Sequence, residues 1–144
     1  SFAIIDNAKE FGTTMHRLEE KIDGGDILFE KRFAIPGNCD VSWLYEKTLK
    51  ESGVLFNECI GKIIAGNYLL TPQKTFIGKR HSSFHLRSDI EKIKKIDLSW
   101  DKEKIMRYFR ATYFPPFSPP FAMVNGKRVD ITPEWIEANL KDKK

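Results

Sequence analysis

A glycine-flanked turn between two strand-like runs constrains the fold of this chain more than any other feature of its sequence. Residues 11–18 alternate moderately between polar and apolar side chains and include two threonines, which favours a strand. Residues 19–25 are charged and then rich in glycine, which predicts a turn. Residues 26–35 alternate again and predict a second strand. The sequence therefore predicts two consecutive strands whose connecting turn carries Asp23.

Helix signals follow the second strand. Asp40 stands before an apolar stripe of near-helical period and Gly66 stands after it, which predicts a capped helix over residues 41–65. The stretch 69–87 is polar and basic, and we expect it to be irregular. Apolar anchors at helical spacing predict another helix over residues 101–112.

The end of the chain carries a proline-rich segment and a hairpin signal. Prolines exclude a helix over residues 114–120, which we expect to be extended. Asn125 and Gly126 lie between two short strand-like runs and predict a tight type I′ turn. Thr132, followed by a proline, predicts the start of a terminal helix. A hairpin flanked by aromatic residues is marginal alone, so it packs either on its own domain or on a partner surface.

The composition is that of an ordinary globular chain. With 144 residues, of which 41% are hydrophobic, one domain with a real core is expected. The net charge of +4 is compatible with anionic small-molecule ligands and does not require a nucleic acid. The aromatic residues lack the interleaved basic residues of a base-stacking platform, so nucleic-acid binding is a remote alternative.

The cysteines and the apolar runs indicate the compartment. Cys39 and Cys59 lie far apart and without metal-ligand spacing, which predicts two reduced thiols in an intracellular protein. No apolar run approaches a membrane span and no signal-peptide pattern opens the sequence, so a cytoplasmic protein is expected.

Asp23 is the strongest candidate for chemistry. Gly24 and Gly25 allow a tight turn and the close approach of a ligand. A carboxylate held there near a substrate amine can accept a proton directly or through water. The alternative is an ordinary Asp-Gly turn. His16, on the preceding run, is either structural or part of the same site.

A basic segment supplies a second candidate site. Lys79 and Arg80 follow a glycine, and two cations in that position can hold a pyrophosphate, the arginine by forked hydrogen bonds and the lysine as a point charge. The alternative is a solvated surface loop. Gln73, just upstream, could bond polar groups of a ligand, or could simply be a surface residue.

Three stretches together resemble the 10-formyltetrahydrofolate-dependent formyltransferases. Gly12-Thr13-x-x-His16 with Ile22-Asp23-Gly24-Gly25-Asp26-Ile27 resembles the second half of the active-site signature of that family. Phe76-Ile77-Gly78-Lys79-Arg80-His81 resembles the Phe-Gly-Arg-Arg element of sugar-nucleotide formyltransferases. The block 107–121 with its Asn-Gly hairpin resembles the C-terminal block of small sugar N-formyltransferases.

The resemblance implies an α/β fold, namely the C-terminal part of a formyltransferase-type Rossmann-like sheet followed by a helix and a C-terminal β-hairpin. Residues 1–112 would be the C-terminal portion of the catalytic core, without its N-terminal half. Residues 113–144 would hold the proline-rich segment, the hairpin and the terminal helix, and would form a dimerisation element. Asp23 and His16 would be the catalytic residues, with His16 orienting or neutralising Asp23.

The implied activity is transfer of a formyl group from 10-formyltetrahydrofolate to the amine of a nucleotide-linked amino sugar, in lipopolysaccharide O-antigen biosynthesis. No metal is implied, and a homodimer is expected, without nucleic-acid or membrane partners. Gly24 and Gly25 would contact the folate, and Gln73, Lys79 and Arg80 the sugar nucleotide.

The asparagine and histidine of the family signature are absent, so the isolated chain is expected to be nearly inactive. The alternatives are a non-catalytic remnant or dimerisation or ligand-binding module, and a formyltransferase of the methionyl-tRNA or glycinamide ribonucleotide type.

Overall fold

The computed structural model describes residues 1–20, 23–76, 83 and 85–140 of the chain. The elements in chain order are helix α1 (Phe2–Ile5), strands β1 (Glu10–His16) and β2 (Ile27–Ala34), helix α2 (Val41–Ile64), a 3₁₀ turn (Gln73–Phe76), helices α3 (Arg87–Ile93) and α4 (Lys102–Thr112), strands β3 (Phe121–Val124) and β4 (Lys127–Asp130), and helix α5 (Pro133–Leu140).

These elements form two compact units. Unit 1 holds residues 1–9 and 36–44 together with the described residues from 85 onward. Unit 2 holds the described residues within 10–35 and 45–84.

Unit 2 is an antiparallel hairpin that packs on the longest helix. β1 pairs with β2 in the register Phe11↔Phe33 to Met15↔Phe29, and the register shifts after Met15. The hydroxyls of Thr13 and Ser52 lie 2.8 Å apart, which ties β1 to α2. Leu55 and Cys59 on α2 are buried, with about 4% of each exposed. The hairpin therefore packs on one side of α2, and the turn between β1 and β2 forms the end of the hairpin.

Unit 1 has its own core between α4, the second hairpin and α5. Five buried hydrophobic residues form this core cluster, namely Ile96, Ile105, Ala122, Ile131 and Leu140. β3 and β4 form the second antiparallel pair, and Asn125 and Gly126 between them have φ values of 50° and 75°. Those two angles confirm the predicted type I′ turn. Because the hairpin buries residues in this core, one of its faces packs on its own unit.

The predicted caps and element bounds are confirmed to within two residues at most ends. Asp40 Oδ1 accepts a hydrogen bond from the Trp43 amide at 2.8 Å, and Gly66 ends α2 with a φ of +70°. Thr132 Oγ1 accepts from the Trp135 amide at 3.3 Å at the start of α5.

Two local expectations differ from the structure. The proline-rich segment is not extended throughout, because a turn at residues 115–117 brings the Phe117 amide within 3.0 Å of Phe114 O. α3 was not predicted, since it is short and mostly polar, with only Ile90 and Ile93 as apolar residues. Its start is fixed instead by Asp89, whose Oδ2 accepts from the Leu86 amide at 2.9 Å.

The sheets are small. The described residues hold two separate two-stranded sheets, β1–β2 and β3–β4, alongside the helices. This confirms an α/β chain, while the Rossmann-like arrangement of a larger sheet stays a prediction. Of the helices in the described ranges, none is long and apolar enough to cross a membrane. Cys39 and Cys59 are both buried and both free, as expected.

Candidate functional site

Asp23 lies in the turn between β1 and β2 and presents its carboxylate to solvent. Its φ is +53°, in the left-handed region that few residues other than glycine adopt, although aspartate is among those that tolerate it. Its side chain is 85% exposed. The turn therefore displays the carboxylate at the end of the hairpin.

His16, the last residue of β1, faces Asp23. His16 Nε2 lies 3.5 Å from Asp23 Oδ1, and the histidine side chain is 24% exposed. His16 Nδ1 lies 2.9 Å from Arg17 O, and because a carbonyl oxygen only accepts, Nδ1 carries a hydrogen and donates it. The other ring nitrogen, Nε2, is the one that faces the carboxylate. The predicted pair of catalytic residues is thus brought together.

Position 25 requires a glycine because the backbone of Arg17 lies too close to leave room for a Cβ. A Cβ at Gly25 would overlap Arg17 O and would lie 2.7 Å from the Arg17 carbonyl carbon. The approach is close because the Arg17 amide donates to Asp26 O at 3.0 Å and closes the turn. From the sequence, Gly25 is predicted to leave room for a ligand. The structure shows a second reason for a glycine here, which is the backbone of Arg17 packed against it.

Gln73 holds the same turn from a distant part of the chain. Its Nε2 donates to Asp23 O and to Gly25 O, both at 2.7 Å. Gln73 reaches the turn because Thr71 pairs with Ile27 through two hydrogen bonds of 2.8 Å. The contact was not foreseen, since no local pattern links residues 50 positions apart.

An open cleft lies beside the turn. It has a volume of about 270 Å³ and is lined by Gly24, Asp26, Pro72, Gln73 and Lys74. The cleft thus brings one of the two predicted cofactor-binding glycines next to the predicted substrate ligand Gln73. The glycine in its wall allows a ligand to approach the backbone closely.

An ion-pair network supports the hairpin that carries the turn. Lys31 Nζ on β2 lies 3.2 Å from Glu58 Oε1 and 3.5 Å from Glu51 Oε2, both on α2. The hydrogen bond to Glu58 is the main cause that raises the pKa of Lys31. Lys47 Nζ donates to Glu51 at 2.7 Å, and this bond is the main cause that lowers the pKa of Glu51. These charges stabilise the packing of β2 on α2.

The described residues include neither two of the predicted substrate ligands nor a group of metal-ligating side chains. Lys79 and Arg80 lie outside the described residues, so their proposed contact with a pyrophosphate stays a prediction. In the part of the chain that the structure describes, no three histidine, cysteine, aspartate or glutamate side chains are grouped as metal ligands.

Comparison with known proteins identifies relatives of the whole described fold. The chain is 28% identical over 127 residues to GDP-perosamine N-formyltransferase of Brucella melitensis biotype 1, a match that covers 88% of this chain and 46% of that protein. It is 28% identical over 142 residues to methionyl-tRNA formyltransferase of Halalkalibacterium halodurans, covering 99% of this chain and 42% of the relative. No protein-family model matches the chain.

A solved structure of an N-formyltransferase is also similar to this chain. The N-formyltransferase of Helicobacter canadensis, in complex with folinic acid and dTDP-3-aminofucose, matches with a TM-score of 0.71 at 28% identity. The match covers 88% of this chain and 45% of that one. The chain spans about half the length of the relatives that it matches, and the sequence-based resemblance is confirmed. The chain is a relative of the sugar N-formyltransferases and corresponds to the C-terminal part of those longer proteins.

Proposed function

We propose that this chain is the C-terminal part of an enzyme that transfers a formyl group from 10-formyltetrahydrofolate to the amine of a nucleotide-linked amino sugar. The observation that carries the proposal is the exposed Asp23 carboxylate, faced by His16 at 3.5 Å and placed beside an open cleft. The resemblance to sugar N-formyltransferases, one of them solved with a folate and an amino-sugar nucleotide, supports this use of the turn.

Each candidate residue has a role in this reaction. The neutral amine attacks the formyl carbon, and Asp23 accepts the proton that the nitrogen must lose. The tetrahedral intermediate then breaks the bond between the formyl carbon and N10 of the folate, and N10 takes up a proton as tetrahydrofolate leaves. His16 orients the Asp23 carboxylate. Gly24 and Gly25 supply the backbone against which the folate lies, and Lys79 and Arg80 hold the diphosphate of the sugar nucleotide. The oxyanion of the tetrahedral intermediate needs further hydrogen-bond donors, which the rest of the enzyme supplies.

The apolar side chains left exposed on α2 support a larger catalytic core. Leu49, Phe56 and Ile64 are 56%, 50% and 81% exposed. Their spacings of seven and eight residues are about two turns each, so the three side chains share one face of the helix. We propose that the other half of the formyltransferase core covers this face and extends β1–β2 into a Rossmann-like sheet. In this arrangement residues 1–112 are the C-terminal portion of the core.

The dimerisation role of residues 113–144 also belongs to the proposal. Phe117 is 59% exposed and Met123 is 47% exposed, so the second hairpin keeps apolar surface outside its own core. A second copy of the chain is the occupant that we propose for this surface. A cytoplasmic location and a role in O-antigen biosynthesis complete the proposal.

A chimera tests the activity. In the GDP-perosamine N-formyltransferase of Brucella melitensis, the matched segment is replaced by this chain, and formyl transfer to GDP- and dTDP-linked amino sugars is measured. We expect turnover that falls on the order of a hundred-fold or more in Asp23→Asn, because the proton acceptor is lost. Asp6→Asn, at an exposed aspartate of unit 1, is the control and should leave turnover unchanged. Full activity of the Asp23→Asn chimera would refute the assignment.

The same chimera tests the apolar face of α2. Phe56→Glu should prevent the two halves from forming a soluble, folded enzyme, because a carboxylate would be buried without a partner. Leu86→Glu is the control, because Leu86 is an apolar residue that is 56% exposed and lies outside both α2 and the second hairpin, and it should still yield a folded enzyme. Equal solubility and equal melting temperatures for the two variants would contradict a covered α2 face.

A second acceptor is favoured by one observation. The match to methionyl-tRNA formyltransferase covers 99% of this chain, more than the match to the sugar enzyme. The chimera is therefore also offered methionyl-tRNA. Formylation of that acceptor, with none of the amino sugars, would replace the proposed substrate while leaving the role of Asp23 in place.

A further inference from the structure

We infer that Gln73 is a positioning residue: the two hydrogens of its side-chain amide hold the backbone of the Asp23 turn, and Gln73 acts on the reaction through the position of Asp23. The inference rests on the function proposed above, and it revises the sequence-based assignment of Gln73 as a substrate ligand. It follows from the direction of two hydrogen bonds, the conformation of the turn and the way in which Gln73 itself is anchored.

The side-chain amide of Gln73 has no hydrogen left for a ligand. Its single nitrogen carries two hydrogens, and it donates to Asp23 O and to Gly25 O at 2.7 Å each. A ligand that accepted from this nitrogen would have to displace one of the two carbonyls. The amide thus spans the turn and fixes two of its carbonyl oxygens relative to each other.

The turn needs such a support. Asp23 has a φ of +53°, a conformation of higher energy for a residue with a Cβ, and its side chain is 85% exposed, so packing of the side chain does little to hold it. The Arg17–Asp26 hydrogen bond closes the base of the turn, and the Gln73 amide binds its far side. Without Gln73, the carboxylate would sample orientations away from His16.

Gln73 is itself held firmly. Thr71 and Ile27 exchange two hydrogen bonds of 2.8 Å, which attach this segment to the start of β2. Gln73 then begins a 3₁₀ turn, in which the Thr75 amide donates to Pro72 O at 3.0 Å. The amide therefore approaches the turn from an element that is anchored to the same hairpin, which is the arrangement that a positioning residue requires.

Two near-isosteric variants separate positioning from substrate binding. Gln73→Glu keeps the length of the side chain but places a carboxylate against two carbonyl oxygens, so it repels the turn that glutamine binds. Gln73→Met removes both donors without adding charge. Thr75→Ala is the control. It changes another side chain of the same 3₁₀ turn, one that makes neither of the two hydrogen bonds to the Asp23 turn.

The first measurement is made on the chain itself and needs no activity. Hydrogen exchange of the Arg17 amide, which donates to Asp26 O, reports whether the turn is closed. We expect exchange to be faster by about tenfold or more in Gln73→Glu, faster by a smaller factor in Gln73→Met, and unchanged in Thr75→Ala. Unchanged exchange in both Gln73 variants would overturn the inference, whatever the chimera does.

The second measurement is the kinetics of the chimera. A positioning residue predicts that kcat falls by about tenfold or more in Gln73→Glu while the KM for the sugar nucleotide changes by less than about threefold. A raised KM with an unchanged kcat would make Gln73 a substrate ligand and would overturn the inference. If every chimera were inactive while the exchange results held, the proposed function would fail and the structural role of Gln73 would stand.

Discussion

Gly25→Ala should open the Asp23 turn, and the structure sets the size of the effect. The added Cβ would overlap Arg17 O and would lie 2.7 Å from the Arg17 carbonyl carbon, whereas real Cβ atoms essentially never come within 3.0 Å of a heavy atom outside their own residue and its chain neighbours. Both atoms belong to the backbone, so a side-chain rotation cannot relieve the contact. The strand end or the turn has to move, and the 3.0 Å hydrogen bond from the Arg17 amide to Asp26 O lies where that movement occurs.

The free energy of unfolding should fall by about 2 to 4 kcal/mol. Overpacking of this kind costs about 1 to 3 kcal/mol, and the hydrogen bond that is strained or lost contributes about 1 kcal/mol. With a urea dependence of about 2 kcal/mol per molar, the midpoint of unfolding should shift by about 1 to 2 M. Far-UV circular dichroism follows the transition, because α2 contributes a large share of the helix.

Gly61→Ala is the matched control. Gly61 lies on α2, and a Cβ there would meet nothing within 4 Å. The same substitution should therefore stabilise the chain, by about 0.5 to 1 kcal/mol, because alanine favours a helix over glycine. A Gly25→Ala chain as stable as the unmodified chain, beside a stabilised Gly61→Ala, would refute the close contact at Arg17.

Three further predictions concern stability and reactivity. The hydrogen bond from Lys47 lowers the pKa of Glu51 in the folded chain from its usual value of 4.5, so the ionised carboxylate stabilises the fold above that pH and this stabilisation is lost as the pH falls. Glu51→Gln should therefore flatten the loss of melting temperature as the pH falls below about 4.5, and an unchanged acid dependence would contradict this. Ile105→Ala, at a residue that is 0% exposed, should cost about 2 to 5 kcal/mol in urea unfolding, and a cost below about 1 kcal/mol would show that the core of unit 1 is misplaced. Burial raises the pKa of the Cys39 thiol, so a thiol reagent should modify it slowly at neutral pH and rapidly in urea, and fast modification of the folded chain would contradict its burial.

The features that were predicted correctly from the sequence have local causes. The Asn125-Gly126 turn and the cap at Asp40 each depend on a few neighbouring residues, so their patterns are visible in the sequence. The helix α3 has a local cause as well, in Asp89, but its polar composition hides the helical period. The turn at residues 115–117 was missed because proline excludes a helix without specifying where the chain turns.

The candidate site also contains some residues that local sequence patterns predict and others that they do not. Asp23 and His16 were found because a glycine-rich turn between two strands brings the end of one strand close to the turn. The contact of Gln73 with the turn and the contact of Gly25 with Arg17 depend on tertiary packing, which no short pattern encodes. Sequence reasoning therefore gives the predicted reacting groups, and the structure gives the residues that hold the turn on which they lie.

The hydrogen bonds from Gln73 have a consequence for how this site could change during evolution or in the laboratory. They end on the carbonyl oxygens of Asp23 and Gly25, which every amino acid possesses, and they leave the side chain at position 23 out of the contact. The support for the turn is thus independent of the group that the turn displays. Position 23 is therefore a place where a different functional group could be introduced, asparagine being the mildest case, without redesigning the backbone that presents it.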